Sequence, residues 1–192
     1  MSAGPAGPHR RQFFRDALAG VIRPLAAYLE GHVDLPAWRP FLRAPGAIEE
    51  SKFLDTCYRC GACVEVCPAH AIQLRQMPGH PAHGTPGIDP DLAACLVCEG
   101  LKCTLVCPSG ALRPLKRAYE IRMGLALVSA ERCVRSQGEA CTRCVDECPI
   151  GAAALHFVDA GPPEVSASGC VGCGVCQKVC PTQPKAVLVK PA

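Results

Sequence analysis

Aromatic side chains are scarce in this chain of 192 residues: phenylalanine, tyrosine and tryptophan together make up 5% of it. A large aromatic-rich core is therefore excluded, although hydrophobic residues reach 49%. Cysteine, alanine and valine supply much of that apolar count. We expect bound groups, rather than bulky side chains, to complete the interior.

A strong charge bias and long apolar runs are also missing. The formal net charge is +3, which is too small to indicate a nucleic-acid partner. No stretch approaches the roughly 18 consecutive apolar residues of a membrane span. We therefore expect no transmembrane segment in this chain, and if it acts at a membrane, another subunit has to hold it there.

Common catalytic motifs are absent as well. The sequence has no Gly-rich phosphate loop and no dinucleotide fingerprint. Its six histidines are scattered, none in a Cys-x-His pair of Rieske type, so we interpret them as solvent or loop residues. We predict no catalytic residues and no enzymatic site; these histidines are His9, His32, His70, His80, His83 and His156.

Cysteine is abundant: the 16 cysteines form four groups of four, each group closes on Cys-Pro, and none is left over. The first and fourth groups have the spacing Cys-x2-Cys-x2-Cys-x3-Cys-Pro. The second group widens the middle gap to four residues, and in the third the first cysteine stands eight positions before the second. In order, the groups are Cys57, Cys60, Cys63 and Cys67; Cys95, Cys98, Cys103 and Cys107; Cys133, Cys141, Cys144 and Cys148; and Cys170, Cys173, Cys176 and Cys180.

This spacing is typical of [4Fe-4S] proteins. Two-residue gaps let three consecutive cysteines of a tight loop point inward, and the proline after the fourth suits a helix start because its missing N–H costs nothing there. In two-cluster ferredoxins that fourth cysteine ligates the other cluster. We therefore predict four [4Fe-4S] clusters with all sixteen cysteines as ligands, and an apoprotein that is largely unfolded.

Two other uses of cysteine fit less well. A cysteine content of about 8% can indicate a disulfide scaffold, but disulfides do not require four repeats of Cys-Pro. Zinc sites use paired Cys-x2-Cys motifs, yet a third cysteine two residues later and the recurrent proline are not zinc-ribbon features. A structural zinc protein stays an alternative that metal analysis decides.

Each cysteine group is followed by a short apolar stretch typical of a strand. The repeat unit is loop, short helix, strand, turn, strand, and two units would make one ferredoxin-like lobe. We predict an α+β fold of two bacterial-ferredoxin-like lobes. Sequential pairing of the groups (first with second, third with fourth) and nested pairing (first with fourth, second with third) both fit the spacers. The predicted strands include 71–74, 88, 111–112, 125–128, 154–158 and 186–189.

The amino-terminal part of the chain contains no cysteine. We therefore divide the chain into an extension, 1–47, and a four-cluster region, 48–192. Residues 9–15 resemble a twin-arginine export signal, but charged residues interrupt the apolar region behind it and no Ala-x-Ala cleavage site follows. Apolar residues at three- and four-residue spacing predict instead an amphipathic helix over about residues 12–30. A Pro-rich linker over 31–47 follows, with Trp38 as a packing anchor.

A family resemblance rests on several segments. Pro45-Gly46-Ala47-Ile48, the first cysteine run, the stretch from Cys103 to Leu112, Arg122-Met123-Gly124-Leu125-Ala126 and the wide third group resemble the ferredoxin-type proteins of periplasmic nitrate reductase and methylamine-utilisation systems. The second group is also similar to its counterpart in iron-sulfur subunits of the dimethyl sulfoxide reductase family. The likeness spans about residues 45–190.

That resemblance implies four [4Fe-4S] clusters and electron transfer between redox partner proteins, with a membrane quinol-oxidising subunit as the donor. The interrupted apolar region departs from the clean export signal of those relatives. The sequence therefore slightly favours a cytoplasmic location or the cytoplasmic face of the membrane, with periplasmic export by the twin-arginine route as the alternative.

A second functional class is an iron-sulfur sensor whose cluster controls binding to a regulatory partner. Such a protein needs a nucleic-acid or regulatory element, and the nearest approach to a basic patch lies between the second and third groups. We interpret that stretch as a solvated face, with partner docking as the next reading. Its basic residues are Arg113, Lys116, Arg117 and Arg122.

Overall fold

The computed structural model describes residues 41–192. They belong to one compact unit, Pro40–Ala192. The twin-arginine segment, the helix over residues 12–30 and Trp38 lie outside the described residues and stay predictions. Among the described residues, no helix is long and apolar enough to cross a membrane.

Helices and strands are mixed and short, as the α+β prediction requires. The α-helices are α1 (Glu50–Thr56), α2 (Ala62–Glu65), α3 (Lys102–Leu105), α4 (Arg143–Asp146) and α5 (Val175–Val179). The strands are β1 (Ile72–Leu74), β2 (Pro86–Ile88), β3 (Gly124–Val128), β4 (Leu155–His156), β5 (Glu164–Val165) and β6 (Val187–Pro191), with 3-10 helices at Ala118–Glu120, Val134–Gln137 and Gly151–Ala153.

Glycine lets the chain turn into a helix between the second and third cysteines of the tight groups. Gly61 precedes α2 at φ 81° and Gly174 precedes α5 at φ 86°, both in the left-handed region. In the wider second group Leu101 precedes α3, at φ 39°. A side chain is costly in that region, so the tight turn of the first and fourth groups calls for glycine.

The strands form three antiparallel pairs: β1 with β2, β3 with β6, and β4 with β5. In β1–β2 the register joins Ile72 to Ile88, and in β4–β5 it joins Leu155 to Val165. The longest ladder runs from Gly124 opposite Pro191 to Val128 opposite Val187. Strands predicted behind the first, third and fourth groups are confirmed, with shifted ends.

The strand predicted as the return of the second unit pairs elsewhere. β3 joins β6, the strand behind the fourth cysteine group. Behind the second group, Leu112 makes only an isolated bridge, to Ala47, while Leu42 bridges to Ile88. The end of the predicted linker, residues 41–47, therefore supplies the first half of the molecule with the partner segment that β3 supplies to the second half. Local pattern could not reveal this because both partners are distant in sequence.

The two halves, residues 41–121 and 122–192, have different cores. The ten largest fully buried side chains of the described part include nine from the first half, among them Phe53, Ile72 and Ile88. In the second half, Val171 is joined by buried cysteines and by other apolar residues, most of them valines and alanines. Ordinary apolar packing therefore contributes more to the first half than to the second.

Arg43 ties the incoming segment to the first half. Its guanidinium lies 4.3 Å from the ring centre of Phe53 and donates two hydrogen bonds, of 2.8 and 2.6 Å, to the carboxylate of Glu50. It also donates to the hydroxyl of Thr85 at 2.8 Å and to the carbonyl of Pro86 at 2.7 Å. One side chain thus links the segment to α1 and β2, with the planar geometry that favours arginine over lysine.

Candidate metal centres

None of the sixteen cysteines forms a disulfide, and they surround four cavities, four to a cavity. We name the cavities site I to site IV. Each receives three cysteines from one group and the fourth from another. Site I is lined by Cys57, Cys60, Cys63 and Cys107; site II by Cys67, Cys95, Cys98 and Cys103; site III by Cys148, Cys170, Cys173 and Cys176; and site IV by Cys133, Cys141, Cys144 and Cys180.

The arrangement selects between the two pairings that the spacers allow. The first and second groups exchange their fourth cysteines, Cys67 and Cys107, and the third and fourth groups exchange Cys148 and Cys180. Pairing is therefore sequential. Helix α2 contacts α3, and α5 contacts α4, so each exchange is made between two packed helices.

The cavities suit a cluster by their lining. Apolar side chains close the walls, such as Ile72 and Leu101 in site II and Leu155 and Val171 in site III. Among residues 41–192, no three His, Cys, Asp or Glu side chains are arranged to hold a single metal ion. Four thiols around an apolar cavity are the donor set that a [4Fe-4S] cluster requires.

Burial makes these thiols hard to ionise. It raises the pKa of Cys95 to about 12, and together with the nearby thiols of Cys57, Cys103 and Cys107 it raises the pKa of Cys63 to about 12 as well. Burial also raises the pKa of Cys103, Cys144 and Cys173 to about 11. Four thiolates in one such cavity need a compensating positive charge, so assembly of a metal centre must release protons. Burial is also the main reason why the pKa of Cys176 is raised.

Two of the exchanged cysteines behave differently. Burial raises the pKa of Cys107, but the N–H of Leu112 and the hydroxyl of Ser109 outweigh it and lower the pKa below its usual value. Burial likewise opposes the hydroxyl of Thr182, and the pKa of Cys180 is lowered overall. Sequence reasoning missed both hydroxyls, although each stands directly after a Cys-Pro pair.

Neighbouring sites lie close together. The thiol of Cys103 in site II is near enough to raise the pKa of Cys63 in site I, and Cys144 of site IV likewise raises the pKa of Cys176 in site III. Between the halves, the N–H of Cys95 donates to the carbonyl of Cys173 at 3.0 Å. The sites therefore adjoin one another in the order I, II, III, IV.

Polar contacts close the boundary between the halves around sites II and III. The side chain of Gln177 is buried; its amide nitrogen donates to Asp91 at 2.9 Å, and its oxygen accepts from the N–H of Val189 at 2.8 Å. Lys178 donates to the carbonyl of Leu92 at 2.6 Å. The bonds to Asp91 and Leu92 cross the boundary and hold the segment before the second cysteine group against α5 of the fourth.

The histidines and basic residues that the sequence analysis named and the structure describes do not line the cavities. The backbone N–H of Met77 donates to His83 at 3.0 Å, and that of Ala82 donates to His80 at 3.1 Å, so both histidines stabilise loop turns. The four basic residues between the second and third groups are exposed. Arg117 donates to the hydroxyl of Tyr119, and Arg122 donates to the carbonyl of Ile121 at 2.8 Å.

Known proteins share this cysteine framework. Residues 56–111 and 139–183 match the 4Fe-4S dicluster domain family. The chain is 39% identical over 162 residues to the ferredoxin-type protein NapG of Escherichia coli (strain K12), a match covering 78% of this chain and 70% of the relative. It is 33% identical over 194 residues to the methylamine utilization ferredoxin-type protein MauM of Paracoccus denitrificans, covering 92% and 87%.

A third relative is the ferredoxin-type protein NapG of Haemophilus influenzae, 32% identical over 210 residues, with 100% of this chain and 75% of the relative covered. The likeness thus extends over most of the chain in several relatives, and the predicted resemblance is confirmed. The chain belongs to the ferredoxin-type proteins with 4Fe-4S dicluster domains, and it is an electron carrier rather than an enzyme.

Proposed function

We propose that the chain holds four [4Fe-4S] clusters, one in each of sites I to IV, and that it relays electrons between a donor and a partner oxidoreductase. The observation that carries this proposal is the set of four apolar cavities, each lined by four cysteines. When bound, such a cluster exchanges single electrons within a range of about −700 to +450 mV.

The chain's own residues set position and environment. The exchanged cysteines join the sites within each half, so the two sites of a half cannot separate without breaking both. Apolar walls exclude water, and the Cys95–Cys173 backbone contact fixes sites II and III at the boundary. Sites I to IV would then form a row of four, built as two bacterial-ferredoxin-like lobes.

A narrower proposal names the redox partners. The resemblance to nitrate-reductase and methylamine-utilisation proteins supports a quinol-oxidising membrane subunit as donor and an oxidoreductase as acceptor. The alternative functions, a cluster-dependent sensor and a structural zinc protein, predict respectively a regulatory partner and bound zinc. Metal analysis and binding assays on anaerobically purified protein separate all three.

For the location we propose the cytoplasm or the cytoplasmic face of the membrane, supported by the charged residues that interrupt the apolar region behind the paired arginines. A fusion of residues 1–47 to a reporter exported only by the twin-arginine route tests this. Retention of the reporter in the cytoplasm is expected, and export would establish the periplasmic alternative.

Electron uptake tests the relay proposal. Anaerobic coulometric titration should show about four electrons per chain for the wild type and about three for Cys98→Ala. Cys98 is half-exposed and lies outside the helices, so its replacement should disturb site II more than the fold. Lys102→Ala, an exposed change at the start of α3 between the second and third cysteines of the same group, is the matched control and should keep the full uptake. Equal uptake by Cys98→Ala and wild type would contradict the assignment.

A further inference from the structure

Two hydroxyl groups contact the sulfur atoms of exchanged cysteines. The Ser109 hydroxyl lies 3.5 Å from the sulfur of Cys107, which lines site I. The Thr182 hydroxyl lies 3.2 Å from the sulfur of Cys180, which lines site IV. In both cases the hydroxyl residue follows the proline of the Cys-Pro pair.

Neighbouring backbone groups fix the direction of these bonds. The Ser109 oxygen accepts the N–H of Ala111 at 3.3 Å, and the Thr182 oxygen accepts the N–H of Ala186 at 2.8 Å. Each hydroxyl hydrogen is therefore left to point elsewhere. A cysteine that ligates iron is a thiolate without a proton, so in the loaded protein the hydroxyl has to be the donor and the sulfur the acceptor.

Sites II and III lack this contact for a reason visible in the sequence. The residue after the Cys-Pro pair is Ala69 for Cys67 of site II and Ile150 for Cys148 of site III. Neither side chain carries a hydroxyl. The two sites with a hydroxyl donor are thus the first and last in the order of contact, and the two without it meet at the boundary between the halves.

The burial of the cysteines also distinguishes the two middle sites from the two end sites. Two of the four cysteines are buried in site II, namely Cys95 and Cys103, and two in site III. Sites I and IV have one each, and Cys60 of site I is exposed. Reduction adds negative charge to a site. A donor to sulfur favours the more negative state, and burial in an apolar wall disfavours it.

On the basis of the proposed function, we propose that Ser109 and Thr182 are tuning residues that raise the reduction potentials of sites I and IV above those of sites II and III. The row would then favour the reduced state at its two end sites. Redox partners that dock beside site I or site IV would meet the more easily reduced positions.

The test is an EPR-monitored redox titration of Ser109→Ala and Thr182→Val. Each variant should lower the midpoint potential of one site only. At the wild-type midpoint potential, the ratio of reduced to oxidised form at that site should fall about two- to tenfold, as expected for the loss of one hydrogen bond. Ser168→Ala removes an exposed hydroxyl two residues before Cys170 that bonds to Ser166 instead of sulfur, and it should shift nothing.

A reciprocal variant keeps the proposal testable if Ser109→Ala or Thr182→Val fails to assemble. Ala69 precedes His70 at φ 49°, as Ser109 precedes Gly110 at φ 74°, so the two turns match. Ala69→Ser should raise the midpoint potential of site II.

Iron content separates the two levels of failure. Full iron with unchanged potentials in Ser109→Ala, Thr182→Val and Ala69→Ser would overturn the tuning roles. Wild-type protein with far less iron than four clusters require would overturn the proposed function instead.

Discussion

The two halves carry the same arrangement of cysteines on different supports. In the first half, large side chains such as Phe53 and Leu112 are fully buried, and Arg43 ties three segments together. In the second half Val171 is the largest side chain that is fully buried, and most other buried positions are valines, alanines or ligand cysteines. The exchange of fourth cysteines is thus independent of the core around it, and the halves should depend on metal to different degrees.

Backbone pairing partly offsets this difference. The second half has the longer ladder, five residue pairs between β3 and β6, whereas β1 and β2 share three. A two-stranded ladder is only marginally stable in water without a packed face. We infer that the second half keeps its ladder because the clusters proposed for sites III and IV would fill the space behind it.

The largest difference in stability between the halves should appear when the clusters are removed. Structural metal sites in small domains contribute on the order of 10 kcal/mol to folding, and the second half has less apolar packing to replace that contribution. Hydrogen exchange on anaerobically demetallated protein should show loss of protection throughout β3 and β6, with residual protection in α1, β1 and β2. Earlier or equal loss in the first half would break the comparison.

Truncation of the largest buried side chain should cost more in the first half than a matched change in the second. Phe53→Ala should lower the free energy of unfolding by about 3–5 kcal/mol. Val171→Ala removes two buried methyl groups and should cost about 1.5–2.5 kcal/mol. Denaturant unfolding under anaerobic conditions gives both values, and similar losses would show that the second half relies on side-chain packing as much as the first.

A close backbone contact in the second half should make stability sensitive to the addition of a single methyl group. Gly172 has φ +72°, and a Cβ there would lie 2.3 Å from the backbone nitrogen of Gly124 at the start of β3. Strain and overlap together should make Gly172→Ala cost at least ~2 kcal/mol. Gly161→Ala, where nothing lies within 4 Å of the added atom, should change the melting temperature little. A neutral Gly172→Ala would mean that β3 is not held against this turn.

A smaller effect than that of Phe53→Ala is expected at the boundary between the halves. Gln177→Ala removes the buried amide that bonds to Asp91 and to the N–H of Val189, and should cost about 1–3 kcal/mol. Thermal unfolding should begin at a lower temperature, with the two halves melting less cooperatively. The exposed Gln76→Ala is the control, and an unchanged Gln177→Ala would show that other contacts hold the halves together.

The sequence predicted the features that depend on local chemistry. All sixteen cysteines lie at the four sites, because their spacing fixes which of them share a loop. The entry of α2 and α5 also follows from local glycines. Strands such as β1 and β6 follow from short apolar runs behind each Cys-Pro pair.

Features that depend on contacts between residues distant in the chain could not be predicted from local sequence. Whether Cys107 reaches the first group or another depends on the packing of α2 against α3, and the spacers permit both pairings. β3 pairs with β6, and even the nearest partners, Val128 and Val187, stand 59 positions apart in the sequence, so no local pattern specifies that partner. The hydroxyls of Ser109 and Thr182 acquire meaning only when their distances to sulfur are known.

The most direct test of the crossed arrangement is iron and acid-labile sulfide per chain in two double variants. Cys67→Ala/Cys98→Ala changes two groups but one site, whereas Cys60→Ala/Cys67→Ala changes one group but two sites. Anaerobically purified wild type should contain about sixteen irons, the first variant about twelve and the second about eight. Equal iron in the two variants, or less in the first than in the second, would contradict the exchange of cysteines between sequential groups.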